Sequence, residues 1–306
     1  MGTADFMVQE LTEVQLPSFK PLFHRFKRHT FAVEATARFL MWRCRNVRSF
    51  TFVASSGRSG TATLANLFAD IPSGASLHEP YPLMASDHHS DSADHTQLHS
   101  SRFEKIKRIN ILRAAAGKDF YLETNHQFIT NFSYSAIDYF ADRLSLIHLQ
   151  RDPISVASSF YAIGSIPGKT DNGNRFLIHP HRFDNILAIG DVLDHDPIFA
   201  HDLFRCLWYW YETEARILHF IEEYPAIPIM HMRTKDLNDP EQIAQLLSFL
   251  CLEHLAEQVL HKVGHRANQK LNEKQSSIDF EKSQEMDQRL RELLSSRFGV
   301  RYIQSG

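Results

Sequence analysis

The residues best suited to chemistry follow a short apolar run, in the segment TFVASSGRSGTATLANLF from Thr51 to Phe68. The apolar run is typical of a buried strand, and the Gly-Thr pair with the leucines after it is typical of a helix start. Such a helix presents unpaired backbone amides, here those of about Ser59 to Ala62, to an anion. Arg58 adds a positive charge, and hydroxyl groups add further donors, on Ser59, Thr61 and Thr63. The segment predicts a phosphate-binding loop, although an ordinary helix-capping turn uses the same residue types.

The loop does not end in the Gly-Lys-Ser/Thr of an ATP-binding loop. A second pattern, LIHLQRDPISVASSFYA, places Arg151 at the end of a predicted strand and Ser159 eight positions later on the next helix. Pro153 suits the first turn of that helix. Two separate segments therefore each combine an arginine after a predicted strand with a hydroxyl group on the residues that follow it.

Other polar side chains follow further predicted strands, namely His78 and Glu79 after the second and Glu123 to His126 after the third. Ligands of parallel α/β sheets bind beyond the carboxyl ends of the strands, so these residues are expected at one edge. Glu123 and Asn125 suit either orientation of a ligand or a simple strand-end cap. His78 and His148 are interpreted as hydrogen-bonded core histidines.

Together the two anion-binding patterns resemble those of the sulfotransferases that use 3′-phosphoadenosine 5′-phosphosulfate (PAPS). That family has Arg/Lys-Ser-Gly-Thr after the first strand, where the 5′-phosphosulfate binds, and Arg-x₇-Ser-Phe/Leu later, where the 3′-phosphate binds. The first pattern is matched by Arg58, Ser59, Gly60 and Thr61, and the second by Arg151, Ser159 and Phe160. The resemblance spans residues 51–161. It is nearer the glycan- and tyrosine-modifying and bacterial branches than the cytosolic phenol and steroid branch.

This resemblance implies PAPS as co-substrate, its desulfated form PAP as product, and no requirement for a metal. A sulfuryl group carries less charge than the phosphates of ATP, so cations and amides suffice where ATP needs Mg²⁺. The family often closes a late polar loop over the nucleotide, which KVGHRANQKLNEK resembles. The implied nucleotide-binding residues are Arg58, Ser59, Gly60, Thr61, Ala62, Thr63, Arg151, Ser159, Arg266 and Asn268.

Sulfuryl transfer needs a proton acceptor for the attacking hydroxyl or amine and stabilisation of charge on the leaving phosphate. Arg58 suits the second task, although many relatives have lysine there and the donor geometry differs. For the base, the Leu-His-Glu-Pro of residues 77–80 resembles the glutamate of the glycan and tyrosine branches, so Glu79 is favoured. His126 by analogy with the phenol branch, and His78 beside Glu79, remain alternatives. Because neighbouring strand residues point to opposite faces, His78 and Glu79 are not both expected to reach the acceptor.

The elements that must position these residues alternate between strands and helices. Five apolar runs predict strands, in order FTFVAS, GASLHEP, DFYLETN, RLSLIHLQR and AIPIMHMR. This alternation predicts an α/β fold with a central parallel sheet of about five strands and helices on both faces, as in the P-loop-like sulfotransferase fold that the resemblance implies. We expect one domain over residues 50–306, preceded by a basic, partly helical extension over residues 1–49.

The composition excludes several classes of protein. A net charge of −3 argues against a general nucleic-acid binder, and no apolar run is long enough to cross a bilayer. The three cysteines form no CxxC pair and suggest reduced thiols in a cytoplasmic protein. From Lys20 to Arg48 the chain has eight Lys and Arg residues and one acid, Glu34. This stretch predicts either a solvated helix packed on the domain or a peripheral contact with an anionic membrane or polyanionic acceptor.

The polar, histidine-rich residues 84–101 lack apolar periodicity and predict a mobile loop over the site. Its histidines, four of them within residues 87–99, have no spacing typical of a structural zinc site, so no metal is expected. The sequence does not specify the acceptor or the oligomeric state, although the branch resemblance favours a carbohydrate or glycolipid over other small molecules. The favoured hypothesis is a PAPS-dependent sulfotransferase. The alternatives are a P-loop small-molecule kinase that uses ATP and Mg²⁺, and a non-catalytic protein that binds PAP or a sulfated ligand.

Overall fold

A computed structural model describes residues 26–85, 94–264 and 279–302 of the chain. Within them, five strands form one parallel sheet with the order β2-β3-β1-β4-β5. The strands are β1 Phe50–Ala54, β2 Gly74–His78, β3 Phe120–Thr124, β4 Leu144–Gln150 and β5 Ile229–Arg233. Each corresponds to a predicted strand, and the predicted α/β class with a central parallel sheet is confirmed.

Helices cover both faces of the sheet. They are α1 Phe26–Arg43, α2 Thr61–Phe68, α3 Asp94–Arg102, α4 Arg108–Ala115, α5 Ser133–Phe140, α6 Pro153–Ala162, α7 Asp171–Phe176, α8 Gly190–His195, α9 Asp202–Glu223, α10 Pro240–Phe249, α11 Ala256–Leu260 and α12 Phe280–Phe298. The predicted helix start at Pro153 is confirmed in α6, and α10 begins in the same way at Pro240. The preceding Asp152 and Asp239 accept a backbone hydrogen bond as N-caps.

Two apolar layers form because alternate strand residues point to opposite faces. On one face Val53, Ile147 and Leu149 pack against α2 and α10. On the other face Phe50, Phe52 and Leu146 pack with residues of α1, α4, α5 and α9. The long helix α9 is buried on most sides and also packs against α6 and α12.

The strand order creates a crevice between β1 and β4. From β1 the chain continues through α2 to β2 on one side, and from β4 it continues to β5 on the other. Neighbouring strands whose connections diverge in this way form a topological switch point, where ligands of such sheets bind. The Ser55–Gly60 loop follows β1 and Arg151 follows β4, so both border this crevice.

The predicted mobile loop over residues 84–101 is wrong for its second half, because residues 94–102 form α3. This helix continues through a π-helical turn, Phe103–Lys107, into α4. Its buried His99 and Phe103 show that tertiary packing stabilises a segment without apolar periodicity. Residues 86–93, with His88 and His89, lie outside the described residues.

In the predicted N-terminal extension, Val33 and Ala37 of α1 and Cys44, which follows it, pack against the core that contains α4. The division at residues 49 and 50 stays a prediction. Over the described ranges, no helix is both long and apolar enough to span a bilayer. The cysteines Cys44, Cys206 and Cys251 are free thiols.

Candidate active site

The loop after β1 is a tight, mostly buried turn. Gly57, Arg58 and Gly60 have φ values of 78°, 55° and 87°, in the left-handed region that favours glycine. A Cβ atom on Gly60 would lie 2.9 Å from the Cδ1 atom of Leu237, in the turn after β5. Glycine at position 60 therefore allows the loop to approach its neighbours closely.

Three elements hold the loop through its carbonyl oxygens. The hydroxyl of Tyr209, on α9, donates to the carbonyl of Ser56 at 3.0 Å. Arg151 donates through Nη1 to the carbonyl of Arg58 at 2.7 Å. Thr234, after β5, donates to the carbonyl of Ser59 at 2.8 Å. The loop conformation is thus fixed by the protein alone.

The backbone amides at the end of the loop differ from its carbonyls in their hydrogen bonding. No described residue accepts a hydrogen bond from the backbone N–H groups of residues 58–63, which lead into the first turn of α2. Amides at a helix start carry a partial positive charge and suit an anion. The hydroxyl of Ser59, by contrast, is buried and donates to the carbonyl of Gly57 at 2.9 Å. Its predicted use as a donor to an anion does not fit this conformation. Thr61 is also buried, whereas Ala62 and Thr63 are partly exposed.

The two predicted anion-binding patterns meet directly. Arg58 donates through Nε to the hydroxyl oxygen of Ser159 at 2.8 Å. Neither Arg58 nor Arg151 forms a salt bridge with a described residue. Burial and the charge of Arg58 lower the pKa of Arg151 below its ordinary value, although Asp152 acts in the opposite direction. Two neighbouring guanidinium groups that form no salt bridge with a described residue suit an anion.

Glu79 follows β2 and has a φ of 47°, so its backbone has left the strand. Its amide donates to the carbonyl of Thr124 at 2.9 Å, and its Oε1 atom accepts a hydrogen bond from Nδ1 of His126 at 2.6 Å. Burial raises the pKa of the Glu79 carboxyl. The hydrogen bond from His126 and the charges of His126, His78 and Arg58 outweigh burial, and the pKa lies below its ordinary value. Glu79 is therefore a carboxylate at neutral pH.

A chain of hydrogen bonds fixes the proton of His126. The carbonyl of Met84 can only accept, so Asn131 turns its Nδ2 to it at 2.6 Å and also donates to Oε1 of Gln127. Gln127 then donates through Nε2 to the carbonyl of Phe176 at 2.6 Å and to Nε2 of His126 at 2.7 Å. This network assigns the proton of neutral His126 to Nδ1, which faces Glu79. His126 orients the carboxylate, and its other nitrogen is already occupied.

The two histidines that the sequence predicted to be in the core, His78 and His148, differ in their burial. His78 is exposed and bonded through Nδ1 to the hydroxyl of Thr124 at 2.8 Å, so its interpretation as a core histidine is wrong. The last residue of an edge strand reaches solvent. His148 is buried between Glu214 at 2.8 Å and His231 at 3.2 Å, as expected for a hydrogen-bonded core histidine.

Glu123 lies beneath the site in a fully buried ion pair with Nζ of Lys107 at 2.7 Å. It also accepts from the hydroxyl of Tyr121 at 2.6 Å and from Nδ2 of Asn125 at 2.9 Å. Lys107 donates to the carbonyl of Pro80 at 3.0 Å, next to Glu79. This buried cluster supports the ends of β2 and β3, and Glu123 and Asn125 do not reach the open edge.

Sequence reasoning missed the residues that hold the site from behind. Trp210 donates through Nε1 to the carbonyl of Arg151 at 2.9 Å, and Tyr209, Thr234 and Gln127 have the contacts given above. Buried Tyr and Trp side chains need a partner for their polar atom, so the aromatic-rich segment of α9 carried a signal. Which group each of these side chains bonds depends on the order of the strands, and the aromatic composition of α9 does not indicate that order.

Two predicted contacts, Arg266 and Asn268, lie outside the described residues. Among the residues that the structure describes, no three or more His, Cys, Asp or Glu side chains are grouped to hold a metal ion.

Comparisons with known proteins gave one structural similarity. No family model matches the chain, and no curated protein matches its sequence. The sulfotransferase domain from the curacin biosynthetic pathway has a similar structure, with a TM-score of 0.42 and 15% sequence identity. The match covers 67% of this chain and 75% of that chain.

Proposed function

We propose that this chain is a sulfotransferase that transfers the sulfuryl group of PAPS to an acceptor hydroxyl and releases PAP. The observation that supports this proposal most directly is the contact between the two anion-binding patterns. Arg58, Ser159 and Arg151 come together at the switch point of the sheet, with no acidic partner among the described residues.

The described donors suit a nucleotide with phosphates at both ends of its ribose. The amides of residues 58–63 and the guanidinium of Arg58 would hold the 5′-phosphosulfate, as the first pattern of the resemblance implies. Arg151 and Ser159 would hold the 3′-phosphate. The unpaired amides and guanidinium groups match anionic oxygens in both charge and donor character.

Glu79 would act as the general base. Its carboxylate accepts the proton of the acceptor hydroxyl while that oxygen forms a bond to sulfur. The bond between sulfur and the 5′-phosphate oxygen breaks, and its electron pair stays on the phosphate, where Arg58 stabilises the charge. Among the described residues only His126 donates to this carboxylate, through Oε1, so Oε2 is available for the proton.

For the acceptor, we propose a carbohydrate or glycolipid. Tyr81, two residues after Glu79, has 72% of its surface exposed. An exposed aromatic ring with a polar end, two residues from the proposed base in the chain, suits a sugar or another ring-bearing acceptor.

Isothermal titration calorimetry with PAP, and separately with ATP and Mg²⁺, tests the proposal. We expect PAP to bind without metal. We also expect Arg58→Ala and Arg151→Ala each to weaken it by on the order of tenfold or more, since each removes a charge-assisted hydrogen bond to phosphate. Arg289→Ala, on the exposed surface of α12, is the matched control and should leave the affinity unchanged.

Two other results would point elsewhere. Binding of ATP with Mg²⁺ but not of PAP would favour the kinase alternative over a sulfotransferase. Tight binding of PAP, with no transfer from PAPS to any hydroxyl in an acceptor screen, would favour a non-catalytic nucleotide-binding protein.

A further inference from the structure

The outer face of α1 carries three large aromatic side chains in solvent. Phe31, Phe39 and Trp42 are 76%, 57% and 57% exposed. At about 100° per residue, these three positions fall within about 80° of one another around the helix. Val33, Ala37 and Leu40 lie on the opposite side and pack into the core, so the helix is already anchored without the aromatic face. We call Phe31, Phe39 and Trp42 the aromatic stripe.

Arginine side chains flank the stripe. The guanidinium of Arg45 lies 4.7 Å from the centre of the Trp42 ring, and the side chain of Arg38 is 81% exposed. Between Phe26 and Arg48 the sequence has six Lys and Arg residues and one acid, Glu34, whereas the whole chain has 33 basic and 36 acidic residues. Glu34 pairs with Arg108 of α4 at 2.7 Å and with Arg38 at 3.6 Å, so two arginines share its single charge. The outer face of α1 is thus basic and aromatic in a chain of opposite net charge.

We propose that the outer face of α1 docks onto an anionic lipid surface, with the aromatic stripe in the headgroup region and Arg38 and Arg45 against acidic headgroups. Aromatic rings partition into the interface between water and acyl chains, and each nearby arginine adds attraction to anionic lipid. Charge complementarity favours this occupant over an apolar protein groove, because six Lys and Arg residues accompany the stripe and its one acid, Glu34, is paired with two arginines. The proposal does not depend on the sulfotransferase activity.

Tryptophan fluorescence makes the test specific. The chain has three tryptophans, and Trp208 and Trp210 are 0% and 1% exposed, so Trp42 supplies the solvent-sensitive emission. The full chain is titrated with vesicles of phosphatidylcholine alone and of phosphatidylcholine with phosphatidylserine. We expect a blue shift and co-sedimentation only with phosphatidylserine, weakened by salt, and no blue shift in Trp42→Phe.

Matched variants separate the stripe from general effects. Phe31→Ser with Phe39→Ser keeps the reporter and should weaken vesicle binding by at least about tenfold. Arg38→Glu with Arg45→Glu should weaken it by on the order of tenfold or more. The controls are Phe183→Ser with Phe280→Ser, which are equally exposed elsewhere, and Arg289→Glu with Arg297→Glu on α12. Both controls should bind as the unchanged chain does.

Three outcomes would overturn the proposal. The first is a chain that does not bind phosphatidylserine vesicles, and the second is binding that the stripe variants leave unchanged. The third is a dimer that dissociates in the Phe31→Ser, Phe39→Ser variant, measured by light scattering, because the stripe would then contact a second copy.

Discussion

At the scale of single residues, the bond between His126 and Glu79 sets the state of the proposed base. Burial alone would raise the pKa of the carboxyl and keep part of it protonated in mildly acidic solution. The donor on His126 reverses this shift, so the carboxylate is the stable form. A base held in its ionised form works without a preceding change in protonation.

Replacement of the base removes its proton transfer. Glu79→Gln should lower kcat by about 10²- to 10⁴-fold, the usual contribution of a general base. PAP affinity, measured by calorimetry, should not fall, because Glu79 forms no hydrogen bond with Arg58 or Arg151 and loss of its negative charge near Arg58 can only favour an anion. A variant that keeps the full rate would assign the base to another residue.

The pH dependence tests the role of His126. Since the pKa of Glu79 lies below its ordinary value, the unchanged protein should keep its kcat/KM into acidic solution and lose it only as Glu79 is protonated. In His126→Ala the hydrogen bond is lost while burial remains, so the pKa rises and the acid limb moves to higher pH. His78→Ala removes one weaker charge and should move the limb less. Identical profiles for all three proteins would show that the limb does not report Glu79.

At the scale of elements, two π-helical turns shape the floor of the site. Phe103–Lys107 directs Lys107 into the core beneath Pro80, and Phe128–Phe132 follows directly on His126 and Gln127. Such turns insert an extra residue into a helix and often occur near functional sites. Helical periodicity in a sequence does not distinguish a π-helical turn from an α-helical one, so these two turns required the structure.

The buried Lys107–Glu123 pair should stabilise this floor strongly. Lys107→Met leaves Glu123 charged and buried, which should cost about 3–5 kcal/mol of unfolding free energy in urea titrations. Adding Glu123→Gln should restore much of the loss. The exposed pair Arg289–Glu285 on α12 is the control, since Arg289→Met should cost no more than about 1 kcal/mol. Equal losses of unfolding free energy in Lys107→Met and Arg289→Met would mean that the buried pair stabilises the fold no more than an exposed one.

The five strands and the proline-initiated helices could be predicted because their signals are local. Buried strands are short apolar runs, and Pro153 and Pro240 can only begin a helix. The helix over residues 94–102 could not be predicted, because its stability comes from the residues it packs against. The pairing of Glu79 with His126 was equally out of reach, since it requires β2 and β3 to be neighbours.

At the scale of the whole molecule, the proposed anion site has two arginines close together in a chain with a net charge of −3. Ligand binding to the folded state alone should stabilise the entire fold. PAP at about 100 times its Kd adds ~2.7 kcal/mol, and for 306 residues this should raise Tm by about 4 °C. Differential scanning calorimetry measures the shift. Arg58→Ala with Arg151→Ala should abolish it, and an equal shift in that variant would place the ligand elsewhere.

The α/β class followed from the alternation of strands and helices, but the order of the strands did not. Nothing local in Phe50–Ala54 says that β1 lies between β3 and β4. This order brings Arg151 to the loop after β1 and α9 beneath both. The residues of the two patterns were therefore identifiable one by one, whereas their supporting partners required the assembled sheet.

The hydrogen bonds that Arg151 and Thr234 donate to the loop carbonyls also affect the N–H groups on the other side of the same peptide planes. A trans peptide is flat, with its C=O and the next N–H pointing in opposite directions. Arg151 and Thr234, by holding the carbonyls of Arg58 and Ser59, therefore fix the direction of the amides of Ser59 and Gly60. A hydrogen bond at the oxygen also polarises its N–H and makes it a stronger donor. Each planar peptide unit thus connects its two ends. Arg151 and Thr234 set the direction and donor strength of the two amides that are proposed to hold the 5′-phosphosulfate.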